Sequence, residues 1–408
     1  MSEWRETTLG ELCSRVITGG TPDTKVVEYY RNGTIPWVKT KEVNYRPIIS
    51  TDSYITTAGL ENSSAKMIPA DSIIVAMYGQ GDTAGRVAVN KIPVCTNQAC
   101  CNLVIDDKKA DYRFIYYVLT DAYEALVALK SGSAQPNLNT SLIKGLDIII
   151  PDVQEQRAIA EVLSSLDDKI DLLTRQNATL EALAQTYFRQ WMKTYSGVSR
   201  NVGDFLETTL GGEWGKDNAS DDHPMPVCCI RGTDVAMLMV GLAAKIPLRY
   251  IKPTKYDRIA LTDRDIILEI SGGTDTQSTG RATYINDRVK LLFDLPIVFS
   301  NFCRCLRFKK KEYIHPFYLY IKGKWENGEF FNLENGSSGI HNLDYKSFLN
   351  SQEYADAFPN DEEFSAFATF IDPFFEKIDK NKIQIQTLQK LRDTLLPKLI
   401  SGEVKVHV

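Results

Sequence analysis

Asp263, Asp265 and Glu269 form an acidic group beside a strand-like run, the kind of setting in which a nuclease holds its metal. The matching stretch earlier in the chain reads Ala70-Asp71-Ser72 and then Ala76, so the acids are not reproduced there. Gly79-Gln80-Gly81-Asp82-Thr83-Ala84 fits the G-x-G-x-x-A spacing of a dinucleotide-binding turn. The residues after it, Arg86-Val87-Ala88-Val89, read as another strand rather than the phosphate-binding helix that this chemistry requires. No G-x-x-x-x-G-K-[ST] occurs, nor the Asn-Pro-Pro-Tyr or Asp-Pro-Pro-Tyr of amino-methyltransferases. The eight cysteines include adjacent pairs and no C-x-x-C, which favours buried reduced thiols over metal. The residues point to a chain that recognises rather than reacts, with a nuclease centre at Asp263, Asp265 and Glu269 as the alternative.

Two long helices must position whatever does the recognising. From Gln154 to Trp191, apolar residues recur at alternate fours and threes: Ile159, Leu163, Leu166, Ile170, Leu173, then Asn177, Leu180, Ala184, Tyr187 and Trp191. That 3.5-residue period is a coiled-coil seam. A second copy runs through Phe367, Ile371, Phe374, Ile378, Asn381, Ile385, Leu388, Arg392, Leu395 and Leu399, at a constant offset of 208. Asp152 and Glu155 have capping-box spacing, so the first helix should start there and continue to about Lys193, a rod of about 60 Å at 1.5 Å per residue. In the second copy Asp372-Pro373 predicts a break, with a short helix over 361–371, a longer one from Pro373, and an end marked by Pro397 and Gly402. An antiparallel pairing in full register sets Asn177 against Asn381 in mid-seam, with the least regular end beside Trp191.

The rest of the chain is also duplicated. Strand-like runs Ile35-Pro36-Trp37-Val38, Ser72–Met77, Arg86–Val89 and Leu103–Ile105 alternate with Gly, Pro and Asn turns, then a helix-like stretch over 112–130 leads to a loop at 131–139. Lys39-Thr40-Lys41-Glu42-Val43 is answered by Arg231-Gly232-Thr233-Asp234-Val235, and Asp71–Val75 by Arg264–Leu268. Gly85-Arg86 is answered by Gly280-Arg281, Thr96-Asn97 by Ser300-Asn301, and Gly132-Ser133 by Gly336-Ser337. The expected plan is domain 1–151, helix 152–195, domain 196–358 and helix 359–408. A length of 408 residues, 43% of them hydrophobic, suits two or three globular domains. No apolar run of about 18 residues and no signal peptide is visible, so the expected setting is cytoplasmic with no membrane partner. Lys245–Lys311 carries net charge +7 and Ser351–Lys380 net −6, which suggests an anionic ligand for one and a protein partner for the other.

On these residues the chain resembles the specificity (S) subunit of type I restriction-modification enzymes over essentially its full length. Leu9-Gly10-Glu11-Leu12, Gly19-Gly20-Thr21-Pro22 and Ile35–Lys39 resemble the start of that family's first target recognition domain. Glu155–Ala160 and Phe188-Arg189-Gln190-Trp191 resemble the two ends of its central conserved helix, and Leu391–Glu403 its distal conserved end. Residues 201–350 depart most, with no Gly-Gly-Thr-Pro opening.

The resemblance implies an α+β fold: two mixed α/β target recognition domains separated by two long helices packed as an antiparallel coiled coil, in a pseudo-two-fold internal repeat. It implies that each domain reads half of a bipartite double-stranded DNA target, while the helices set the spacing and dock two modification (M) subunits. Restriction (R) subunits join that core; S-adenosylmethionine, ATP and magnesium belong to the partner subunits, and this chain carries no cofactor, metal or catalytic residue. The expected DNA-contacting residues, taken from loops at repeat-equivalent places, are Trp37, Lys39, Lys41, Tyr78, Arg86, Gln135 and Asn137 in the first domain. In the second they are Arg231, Thr233, Gln277, Arg281, Ser337 and His341. Among them Trp37, beside a strand, is also a natural core residue. The expected partner-docking residues are Ile159, Leu163, Leu180, Trp191, Phe367, Phe374, Leu388 and Leu395. A scaffold carrying two unrelated globules is the remaining reading.

Overall fold

The computed structural model describes residues 4–79, 81–130, 137–195, 199–239, 246–274, 276–335 and 341–406. Two compact units emerge, Met1–Asp167 with Leu391–Val408, and Asp168–Lys390.

In the first unit a four-stranded antiparallel sheet has the order Cys13–Thr18, Cys100–Ile105, Ser72–Ala76, Val87–Asn90. Ser72–Ala76 is buried along its whole length, as its unbroken Ile-Ile-Val run requires of a central strand. Ile35–Val38 pairs antiparallel with Tyr54–Ile55 and parallel with Cys95–Thr96. Arg5–Thr8 pairs antiparallel with Asp147–Ile150, which leads to the first long helix. A domain helix, Tyr112–Asp121, is capped by Asp111 and buries Phe114, Ile115 and Leu119 against the sheet. The helix-like stretch expected over 112–130 is thus two helices, the second being Tyr123–Ala128.

The second unit repeats this plan strand for strand. Its four-stranded sheet has the order Leu206–Gly211, Cys303–Phe308, Asp265–Glu269, Ala282–Ile285. Met225–Ile230 pairs antiparallel with Leu248–Ile251 and parallel with Ile297–Phe299. The domain helix is Ile314–Glu326. This unit also carries a helix, Gly232–Met239, where the first unit has a single 3-10 turn, a short helix, Asp287–Lys290, and a small sheet of Ser271–Gly273, His341–Leu343 and Glu334–Asn335.

Pairing also corrects one repeat match. The amide of Asn97 donates to Val38 O at 3.0 Å, and in the second unit the amide of Ser300 donates to Ile230 O at 2.9 Å, so Ser300 rather than Asn301 stands where Asn97 does.

The long helices run Val153–Met192 and Asp361–Ile400. Asp152 caps the first, accepting from the amides of Gln154 and Glu155 at 2.9 and 3.0 Å. In the second unit they are antiparallel: Asn381 Nδ2 donates to Asn177 Oδ1 at 2.8 Å, and the Trp191 ring stacks on Phe367 with centroids 4.1 Å apart. In the first unit Ile159 and Leu163 share a core with Leu396 and Leu399.

The break expected at Pro373 does not form; the second helix is continuous from Asp361 to Ile400, past Pro397 as well. Pro373 and Thr369, whose carbonyl the missing amide would have bonded, both face solvent, so water can take the freed acceptor. Ile371 and Phe375, both 0% exposed, hold the turn in place from the buried side. Gly402, with φ +75°, follows the helix end in the left-handed conformation that glycine allows. The expected irregular end beside Trp191 is instead an aromatic cluster of Trp191, Phe364, Phe367 and Phe188. Arg392 does not weaken the seam either, because Asp167 accepts from its Nη1 at 2.8 Å.

Asn177 and Asn381 are 6% and 1% exposed, and their amides make one mutual bond plus one from Asn381 Nδ2 to Gln176 Oε1 at 2.8 Å. Asn381→Leu should cost about 1–3 kcal/mol by stranding the Asn177 amide, and the double change to leucine should recover it. Urea unfolding of the two single variants and the double variant measures the coupling; additive single effects would remove the pairing from the register.

Candidate nucleic-acid interface

The loop residues singled out in the first unit gather at one end of its central sheet. Thr18, Cys100, Ala76 and Val87 end or begin the four strands there. The Gly20 amide donates to Thr96 O at 2.8 Å, the Met77 amide to Ala99 O at 2.8 Å, and the Leu138 amide to Met77 O at 3.0 Å. Those three bonds bring the 19–22, 96–99, 77–79 and 137–139 segments side by side, and Asn97 bonded to Val38 O adds Lys39. Lys39, Tyr78, Arg86 and Asn137 therefore converge.

Individual placements differ. Trp37 is 5% exposed, with its indole donating to Gly20 O at 3.0 Å, so it holds the Gly19-Gly20 turn from inside. The Lys39 ammonium lies 5.1 Å from the Trp37 ring centre, while the Lys39 amide is capped by Glu42 Oε2 at 2.9 Å. Lys41, exposed, pairs with Asp52 at 2.8 Å; that hydrogen bond moves the lysine pKa up and the aspartate pKa down. Arg86 is held by Asn44 at 2.9 Å and by Asp82, leaving part of its guanidinium facing outward. Tyr45, beside it, has its phenol pushed up to about 12 by burial. Gln135 and Ser337 lie outside the described residues.

The same end of the second sheet carries the counterparts. The Arg231 amide is capped by Asp234 Oδ2 at 2.9 Å, as Lys39 is by Glu42, and its guanidinium turns back onto the same carboxylate at 2.9 Å. Arg281 O accepts from Glu269 as Arg86 O accepts from Ala76, and Gly280 and Gly85 before them share a positive φ, +107° and +95°. The Arg281 guanidinium is clamped by both oxygens of Glu269, a buried carboxylate whose pKa desolvation raises despite that arginine. His341 Nδ1 lies 2.9 Å from Glu334 Oε2, and the other Glu334 oxygen accepts from the Thr279 amide and hydroxyl at 2.6 and 2.9 Å. Gln277 and Thr233 are exposed. These loops offer hydrogen-bond donors on rigid strand ends, the arrangement that reading base edges needs.

Sequence reasoning passed over three features. Gly211-Gly212 is the second unit's Gly-Gly turn: a side chain on Gly212 would meet Ser300 O at 2.2 Å, as one on Gly19 would meet Asn97 O at 2.0 Å. The spacing that carries Asp71–Val75 onto Arg264–Leu268 also carries Gly19 onto Gly212, which was a usable signal. Asn44 and Glu334, the holders of Arg86 and His341, had none.

The acidic alternative dissolves geometrically. Asp265 is 0% exposed and receives Arg307 Nε and Nη2 at 2.8 Å each, Glu269 receives Arg281, and Asp263 pairs with Lys311 at 2.9 Å. Asp265 and Glu269 sit at opposite ends of one strand, about 13 Å apart at 3.3 Å per residue, too far to ligate one ion. Among the described residues no group of three or more His, Cys, Asp or Glu is placed to hold a metal. The eight cysteines are free thiols, and burial pushes Cys95 up to about 11 and Cys101 to about 12. The charge runs are largely spent internally too: Arg249, Arg264, Arg281, Arg288 and Arg307 are all ion-paired, as are Asp361 and Glu376, and Asp372 is hydrogen-bonded to His315 at 2.6 Å. Among the described residues no helix is long and apolar enough to cross a membrane.

The residues expected to dock partners are mostly committed to the chain's own seam. Ile159, Leu163 and Phe367 are 1%, 0% and 7% exposed, so their side chains are not presented outward. Leu180, Trp191, Phe374, Leu388 and Leu395 are half-buried.

Comparison with known proteins agrees with this architecture. Residues 1–182 match the family described as type I restriction modification DNA specificity domain. The chain is 25% identical to the type I restriction enzyme MjaIX specificity subunit of Methanocaldococcus jannaschii, over 100% of this chain and 97% of that one. It is 32% identical to the EcoR124I/EcoR124II specificity subunit of Escherichia coli over 44% of this chain and 43% of the other. The crystal structure of a type I restriction-modification S subunit from M. genitalium shares the fold, with a TM-score of 0.56 at 17% identity, covering 98% of this chain and 96% of that one. With its duplicated domains and paired long helices, the chain is similar to the specificity subunits of type I restriction-modification systems, over residues 1–182 by the family match and over its whole length by the relative from Methanocaldococcus jannaschii.

Proposed function

We propose that this subunit reads a bipartite double-stranded DNA sequence, one half through each recognition domain, 1–151 and 196–358. The long helices set the spacing between the halves and dock two modification subunits; restriction subunits complete the assembly in the cytoplasm. S-adenosylmethionine, ATP and magnesium are held by those partners, and this chain supplies specificity without catalysis. One observation carries the reading: two sheets of the same strand order each gather polar and basic loop residues at the same end, Lys39 and Arg86 in one and the exposed Thr233 and Gln277 in the other. Arginine and lysine are suited to guanine edges, and asparagine or glutamine to adenine, which makes Asn137 and Gln277 the complementary readers.

Replacing residues 1–151 with the first domain of another family member should change one half of the methylated sequence and leave the other half and the spacing as they were. Sequencing methylated adenines in cells carrying the chimera reads this directly. A change in both halves would defeat the modular reading. Equal affinity of the assembled complex for specific and random duplexes at matched salt would favour the scaffold.

A further inference from the structure

In the second unit a groove of about 340 Å³ lies between the first long helix and the domain helix Ile314–Glu326. Its apolar wall includes Phe188, Met192, Leu319 and Tyr320. Gln185, 4% exposed, lines it, and its Oε1 is buried without a hydrogen-bond partner. Gly323 faces it: a Cβ there would come within 3.0 Å of Gln185 Nε2, so the glycine keeps the floor open. A buried carbonyl left unbonded is destabilising, a penalty that an incoming N–H would remove.

Charge around the groove is lopsided. Lys324 is taken by Glu329 at 2.8 Å and Asp356 at 3.5 Å, and Glu326 by Lys322 at 3.4 Å. Arg189 and Lys193, exposed on the rim, have no carboxylate partner among the described residues. The groove therefore asks for an N–H donor, an apolar group and a negative charge together, the chemistry of a peptide bearing an aliphatic and an acidic side chain.

The repeat supplies an internal control. The first unit has a groove at the equivalent place, about 210 Å³, where Tyr116, Tyr117 and Thr120 replace Leu319, Tyr320 and Gly323, and Asp393 and Leu396 replace Gln185 and Phe188. Both tyrosines turn their hydroxyls to a carboxylate, Tyr117 to Asp167 of the first long helix at 2.7 Å and Tyr320 to Asp356 of the strand Asp356–Ala357 at 2.5 Å. There Arg392 pairs with both Asp167 and Asp393, at 2.8 and 2.7 Å, so that groove satisfies its own charges.

We infer that the second unit's groove seats an acidic, apolar-anchored peptide segment of a modification subunit, a step that rests on the docking reading above. The full chain is co-purified with its modification subunits, and stoichiometry and dissociation constant are measured by mass photometry for wild type, Gln185→Leu and the double variant Arg189→Glu with Lys193→Glu. Both variants should weaken one of the two docking events about tenfold or more, with unchanged thermal unfolding; the charge reversal lies on exposed positions and does not depend on refolding a core. Wild type that binds no modification subunit would defeat the docking reading itself. Wild type that binds two, with both variants indistinguishable from it, would overturn the groove alone.

Discussion

Asp265→Ala should destabilise the second unit by about 3–5 kcal/mol, seen as a lower urea midpoint with an unchanged slope. The carboxylate is fully buried and accepts three bonds, two from Arg307 and one from the Thr262 amide at 2.6 Å. Removing it strands a guanidinium whose side chain is only 17% exposed. Because the loss comes from the uncompensated charge rather than from the pair, Asp265→Ala combined with Arg307→Met should recover much of it. The same variant separates structure from chemistry: a metal ligand would tolerate alanine in stability and lose a magnesium-dependent cut, whereas a strand anchor loses stability. A change below about 1 kcal/mol would contradict the anchoring role.

Gly19→Val should cost the first unit about 3 kcal/mol, as should Gly212→Val the second. A Cβ at Gly19 would meet Asn97 O at 2.0 Å and Thr96 O at 2.5 Å; at Gly212 it would meet Ser300 O at 2.2 Å and Phe299 O at 2.3 Å. These obstacles are backbone carbonyls at a strand end, which cannot rotate away as a side chain could. Both changes act on turns beside the loops proposed to read DNA, so a survivor should also lose discrimination in one half-site while keeping the other. Thermal unfolding and methylation mapping of the two variants test this; wild-type behaviour in both assays would show that the turns yield.

The helices and the duplication were legible because they rest on periodicity. A 3.5-residue apolar repeat persists through Ile159, Leu163 and Leu173 whatever surrounds it, and a repeat of the sheet run Asp71–Val75 at Arg264–Leu268 needs no knowledge of packing. Pro373 was misread because local propensity counts the missing amide but not the packing: Ile371 and Phe375 are buried on the opposite face, and the orphaned carbonyl is wet. Asp263, Asp265 and Glu269 misled for a related reason. Their sequence spacing is that of a cluster, but a strand sends it out along 3.3 Å steps, and each acid meets a cation brought from far away in the chain.

By itself the sequence determined the two-fold repeat, the two long helices and the Asn177–Asn381 register, since all of these follow from spacing, and it nominated the loop residues proposed to read DNA. Only the tertiary structure decided which of those residues are free to read. Trp37 turned inward to hold Gly20, Arg281 was clamped by Glu269, Arg231 by Asp234, and the seam residues were consumed by their own partner helix. It also opened the groove at Gln185, where a glycine from one helix faces a glutamine from another. The physical reason is common to all of them: a side chain's availability is set by neighbours distant in sequence, whose burial and charge no local pattern contains.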